Sequence, residues 1–118
     1  MTKERQRLGS LGESLAAEVL RQNGYRLLAR NVRTPLGEID LIARHGEALV
    51  FIEVKMRRSL RFGSPAEAVT GSKQRRLRRA AEYYLLKQPV AAAQIRFDIV
   101  AITLIADNPE VQIIQAAF

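Results

Sequence analysis

Gly37-Glu38-Ile39-Asp40-Leu41-Ile42-Ala43-Arg44-His45-Gly46-Glu47-Ala48-Leu49-Val50-Phe51-Ile52-Glu53-Val54-Lys55 is the stretch on which the reading of this chain turns. Two strand-like runs, Glu38 to Ala43 and Ala48 to Lys55, are separated by the turn Arg44 to Glu47, the pattern of an antiparallel hairpin. In the second run Val50, Ile52 and Val54 project from one face and Leu49 and Phe51 from the other, so burial on both sides is expected. Glu53 and Lys55 interrupt that apolar run, and a core strand does not carry two charges without compensation.

Outward from the hairpin, Ser10 to Asn23 reads as a first helix. Ser10 and Glu13 stand at capping-box spacing, Leu11, Leu15, Val19 and Leu20 supply the apolar positions, and Gly24 ends it. Tyr25 to Val32 is a strand, and Thr34-Pro35-Leu36-Gly37 a turn. Beyond the hairpin come a basic loop, Met56 to Gly63, and a short helical turn started by Ser64-Pro65-Ala66-Glu67. Ser72 to Gln88 is a longer helix stopped by Pro89, with Leu77, Ala80, Ala81 and Tyr84 on one face. Gln94 to Thr103 and Val111 to Ala116 are further strands, divided by Ala106-Asp107-Asn108-Pro109. The predicted order is αβββαββ, an α/β chain of 118 residues forming one domain.

Composition restricts the chemistry. With no cysteine and the single His45, thiolate zinc sites, cysteine nucleophiles and histidine metal clusters are excluded, so any metal must be held by carboxylates. Oxygen ligands suit Mg²⁺ or Mn²⁺, ions that also take phosphate as a co-ligand. A net charge of +7 points to a polyanionic partner, nucleic acid. No stretch has the length and hydrophobicity of a membrane span, and the polar opening Met1 to Arg7 has no apolar run behind it, so the expected location is the cytoplasm with no membrane partner.

If the turn pairs Ala43 with Ala48, Asp40 falls opposite Phe51, on the same face as Glu53 and diagonal to it, roughly 7 to 8 Å away at Cα. Two carboxylates can close that gap on a shared ion; without one they repel, and one takes up a proton. A bulge or a different turn would alter the register and let Glu38 compete for the ligand role. Lys55 can orient an attacking water and stabilise charge on a scissile phosphate. The alternative, a cross-strand salt bridge on a solvent-facing strand, sits poorly with apolar neighbours on both faces.

Glu13 either completes the capping box or, at the border of the apolar arc beside Leu20, leans towards the sheet. Lys73, Arg75, Arg76, Arg78 and Arg79 crowd one helix, and Arg76 and Arg79 are expected to meet phosphates. Lys73 falls within the apolar arc and should turn inward, either to contact phosphate at the site or to bury its stem. Arg57, Arg58 and Arg61, just past the hairpin, are candidate backbone clamps. His45 reads as a turn residue, and Asp98 as a sheet-edge charge or the partner of Arg96.

Asp40 followed by Glu53-Val54-Lys55 in the next strand resembles the PD-(D/E)XK nuclease superfamily, with Ile39 where the motif's proline would stand. Gly12-Glu13, Arg30-Asn31, Gly37-Glu38-Ile39-Asp40-Leu41-Ile42, Phe51-Ile52-Glu53-Val54-Lys55 and Arg96-Phe97-Asp98 together are similar to the YraN-type family of uncharacterised bacterial endonuclease-like proteins, over nearly the whole chain. The resemblance implies a restriction endonuclease-like αβββαβ core, a mixed sheet flanked by helices. It also implies a catalytic set of Asp40, Glu53 and Lys55, with Asp40 and Glu53 as metal ligands and Glu13 as a further one, the role a first-helix glutamate has in junction-resolving relatives. The expected activity is Mg²⁺- or Mn²⁺-dependent cleavage of nucleic acid, DNA before RNA; action on branched DNA would call for a homodimer. The competing class is a non-catalytic nucleic-acid-binding or scaffold module of the same fold.

Overall fold

A computed structural model describes residues 3–58 (side chains from residue 9), 69–92 and 94–118. The elements are α1 (Lys3–Gln22), β1 (Tyr25–Thr34), β2 (Gly37–His45), β3 (Ala48–Arg57), α2 (Gly71–Lys87), β4 (Gln94–Ile105) and β5 (Asn108–Ile114). All strands lie in one sheet in the order β1-β2-β3-β4-β5. The β3–β4 pair is parallel and the others antiparallel, so the sheet is mixed, with α2 as the crossover that a parallel pair requires. Arg61 and the helical turn expected at Ser64 to Glu67 lie outside the described residues.

Alternation along β3 sends its two sets of apolar side chains to different helices. Val50 and Ile52 join Ala16 and Leu20 of α1, with Leu41, Ala43, Val100 and Ile102. Leu49 and Phe51 join Leu77, Ala80 and Ala81 of α2, with Ile39, Ile42 and Phe97. The helices therefore cover opposite faces, which is why β3 reads as apolar on both sides. Among the described residues no helix is long and apolar enough to cross a membrane.

Several boundaries differ from the sequence reading. The first helix begins at Lys3, so Ser10 and Glu13 lie inside it and form no capping box; Leu11 is exposed at 58% rather than packed. The hairpin turn is only Gly46-Glu47, with His45 paired to Ala48 and Gly46 at φ 60, a two-residue connection that suits glycine in its first position. His45 is thus the last residue of β2 rather than part of the turn. The final connection is Ala106-Asp107, both left-handed at φ 49 and 64, and Pro109 sits within the edge strand β5, where a missing N–H costs no ladder bond.

The shorter turn moves the β2–β3 register by two residues. Ala43 pairs with Val50 and Leu41 with Ile52, so the next step brings Asp40 level with Glu53 instead of Phe51. An even displacement keeps Leu41 and Ala43 on their expected face, and the two acids remain together.

Candidate active site

The β2–β3 ladder ends at Leu41 and Ile52. One residue on, the Asp40 carboxylate takes the place of a backbone carbonyl: Val54 N–H donates to Asp40 Oδ2 at 2.9 Å. On its other side, Asn31 of β1 lies between the pairs Arg30–Leu41 and Val32–Ile39 with φ 52, a left-handed value that asparagine tolerates better than most residues. Around this kink strict alternation fails. Ile39 packs on the α2 side, whereas Leu41, two residues later, packs on the α1 side. Asp40 therefore stands where the sheet opens, within reach of both faces.

Two cavities of about 310 Å³ meet at this point, and both are lined by Asp40 and Lys55. On the α1 side the walls include Gly12, Glu13, Val54 and Arg58. On the α2 side they include Glu38, Glu53, Lys73 and Arg76. Gly12 lets the helix approach, since a Cβ there would stand 3.2 Å from Met56 Cε. Gly37 at φ 148 leaves room for the Arg76 side chain, whose Cγ would lie 2.8 Å from a Cβ at that position.

The acids strain one another electrostatically. Burial, then the charge of Glu53, pushes the Asp40 carboxyl from 3.8 up to about 7; Glu13 and Glu38 add to the rise and the Val54 N–H opposes it. Burial also raises Glu53, opposed by Lys55, by a hydrogen bond with Asp40 and by Lys73. With no cation between them, burial and the charge of Glu53 make Asp40 the acid of the pair that takes up a proton more readily. Lys73 reaches in from α2 to line the same cavity as Lys55, whose proximity holds its ammonium below the usual range, with burial and Arg57 adding to the fall and Glu53 opposing it.

Glu13 faces Asp40 from α1 and pairs loosely with Arg30, 4.0 Å away. Its inward lean holds although its capping role does not. Arg58 lines the α1-side cavity and Arg76 the α2-side one, while Arg79 is exposed on α2 outside both. Glu38, read only as a competitor for Asp40's role, proves to be a wall of the same cavity. Asn31, a left-handed-prone residue in mid-strand, is the signal that could have announced the kink. Among the described residues no three acidic or histidine side chains form a ready-made metal cluster.

A second polar cluster occupies the opposite end of β2 and β3. Asp98 is fully buried; it accepts from Tyr25 Oη at 2.7 Å, from Arg96 Nε at 2.9 Å and from the Ala116 N–H at 3.0 Å. Arg96 also reaches Tyr25 Oη at 3.1 Å and His45 Nδ1 at 2.8 Å, and the Tyr25 and His45 rings stack 4.0 Å apart. Burial, then Asp98, pushes the Tyr25 hydroxyl up to about 12, so it stays a donor. Asp98 is accordingly Arg96's partner in an interior strand, not an edge charge. This network ties β1, β2, β4 and the C-terminal segment together and lies apart from the acid pair.

The model of the family described as "Uncharacterised protein family UPF0102" matches residues 12–102. The chain belongs to this family. A UPF0102 protein of Moorella thermoacetica is 50% identical over 122 residues, the full length of both chains. Another, of Syntrophotalea carbinolica, is 46% identical over 118 residues, covering 100% of this chain and 96% of that one. A third, of Symbiobacterium thermophilum, is 54% identical over 96 residues, 81% of each. The span matched by the UPF0102 model runs from Gly12 to Ile102, and so takes in Glu13, Asp40, Glu53, Lys55 and Lys73 as well as Tyr25, His45, Arg96 and Asp98.

Proposed function

We propose that this UPF0102 protein is a metal-dependent nuclease that hydrolyses phosphodiester bonds of nucleic acid, DNA in the first instance. The observation that carries the reading is the acid pair. Asp40 and Glu53 are pressed together where the sheet opens, both with raised proton affinity, and two lysines face them from different elements. The helix and strand order, with α2 crossing between parallel β3 and β4, supports a restriction endonuclease-like core of the PD-(D/E)XK type.

The donor set fits a hard divalent cation: carboxylates alone, with like charges that a cation would relieve. Asp40 and Glu53 would hold Mg²⁺ or Mn²⁺, with Glu13 completing the set from α1. When bound, such an ion supplies a water of lowered pKa and neutralises charge on a phosphate oxygen. The protein's own groups do the rest. Lys55 Nζ orients the attacking water and donates to the phosphate, while the Val54 N–H fixes one oxygen of Asp40 so that the carboxylate cannot swing away. Arg58 and Arg76, on either side, hold the flanking backbone.

The test is cleavage of labelled single-stranded, duplex, flapped and four-way DNA, and of RNA, in Mn²⁺, Mg²⁺ or EDTA. Metal-dependent cutting that disappears in both Asp40→Ala and Lys55→Ala, with folding retained, is the expected result. Equal cleavage by both variants and the wild type would remove the assignment. Tight binding with no cutting in any metal would favour a non-catalytic binding module.

A further inference from the structure

Lys55 and Arg57 lie two residues apart on β3, so alternation places them on one face, about 7 Å apart along the strand. Glu53 precedes them by the same step, and the three side chains form a row: acid, lysine, arginine. Among the described residues, Arg57 Nε is the buried side-chain nitrogen or oxygen left without a hydrogen-bond partner. A buried guanidinium nitrogen is costly to leave unpaired, and such atoms are few in folded proteins. Lys73 of α2 lines the same cavity as Glu53 and Lys55, on the face of β3 to which alternation sends Arg57, so Lys55, Arg57 and Lys73 bring cations to one side of the acid pair.

We propose that Arg57, with Lys73, forms a phosphate subsite that takes the phosphodiester group next along the strand from the one facing Asp40, Glu53 and Lys55. The proposal deepens the nuclease reading and rests on it. Nε together with a terminal nitrogen offers the paired donors that a phosphate's two free oxygens accept side-on, which an ammonium cannot imitate. A phosphate there would also relieve the repulsion among three neighbouring cations. The step between Lys55 and Arg57 is on the scale of the spacing between successive phosphates, so a nucleic-acid strand would run parallel to β3, from the acid pair outward past its C-terminal end.

Binding is measured without turnover, in EDTA, by anisotropy of a fluorescein-labelled single-stranded DNA 12-mer across a range of KCl. The proteins are the wild type, Arg57→Gln, Arg57→Lys and Arg21→Gln, the last removing an exposed charge at the end of α1; thermal unfolding checks each fold. Arg57→Gln is expected to weaken binding about tenfold and to lower the slope of log Kd against log salt by about 0.7, one phosphate contact on a single strand. Arg57→Lys should recover less than half of the loss, and Arg21→Gln should match the wild type. Binding by Arg57→Gln within twofold of wild type overturns the subsite. So does full recovery by Arg57→Lys, because charge alone would then suffice. Inorganic phosphate that binds through Arg57 while the 12-mer ignores the substitution would reassign the site to free phosphate and overturn the polynucleotide subsite. An Arg57-dependent 12-mer affinity in a protein that cuts nothing upholds the subsite while removing the nuclease reading, so the two fail separately.

Discussion

Asp40→Asn is expected to stabilise the metal-free protein at alkaline pH. The Asp40 carboxyl is raised from 3.8 to about 7, so its proton is bound more tightly in the folded chain than in the unfolded one. The sign follows from linkage: the stability associated with that proton is complete below about pH 4, declines as pH rises, and is gone above about pH 7. At about 1.4 kcal/mol per pH unit, the span corresponds to roughly 4 kcal/mol of stability lost between pH 4 and pH 8. Asparagine carries no charge to be repelled by Glu53, and its carbonyl oxygen can still accept from the Val54 N–H that Asp40 binds at 2.9 Å. Chemical unfolding in EDTA, followed by circular dichroism, should therefore show Asp40→Asn more stable than wild type by up to about 4 kcal/mol at pH 8 and nearly equal to it at pH 4. The corresponding rise in Tm at pH 8 is on the order of 10 °C. Millimolar Mn²⁺ should narrow the gap by stabilising the wild type alone. A variant no more stable than wild type at pH 8, or one with the same advantage at pH 4, would rule out a raised Asp40 carboxyl, since neither outcome is compatible with a titrating acid pair.

Three further outcomes test other parts of the structure. Asp98→Ala should destabilise by about 3–5 kcal/mol in denaturant melts, because Arg96 is left as an uncompensated, largely buried charge and Tyr25 Oη loses its acceptor; a loss under about 1 kcal/mol would show that the network contributes little. Ser10→Ala should leave stability within about 0.5 kcal/mol of wild type, since Ser10 lies inside α1 and caps nothing; a loss of about 1 kcal/mol or more would restore the capping role. Gly37→Ala should cost about 1–3 kcal/mol, because φ 148 is unfavourable for any side chain and the new methyl group displaces Arg76; an unchanged unfolding midpoint would argue against that backbone conformation.

Much of the candidate site is legible in residue types alone. Glu53 and Lys55 stand out because they interrupt an apolar run, and charges placed so must be doing something for each other or for a ligand. The partnership of Arg96 with Asp98 is equally visible, as alternate residues of one strand. Glu13 is legible only in part: the helical wheel turns it towards the sheet, but local spacing also offered a capping box, and the choice depends on where the helix begins. That start lies further upstream, at Lys3, beyond what a single capping motif can report. Glu38 is legible only as a competing ligand, and Arg57 only as one of three candidate backbone clamps. The importance of each comes from neighbours on other elements, Asp40 and Glu53 for the first and Lys73 for the second.

Element order, the two-sided burial of β3 and the shared face of Asp40 and Glu53 were determined by the sequence itself, because side-chain period is a local property of the backbone and survives a register error of two residues. Tertiary structure alone decided that the hairpin turns in two residues, that Asn31 and Asp40 mark the place where the sheet opens, and that Lys73 comes in from α2 beside the acids and Lys55. These depend on distances between segments far apart in the chain. Whether two carboxyls repel, share a proton or receive a lysine is set by such distances and by burial, neither of which a residue carries in its own identity.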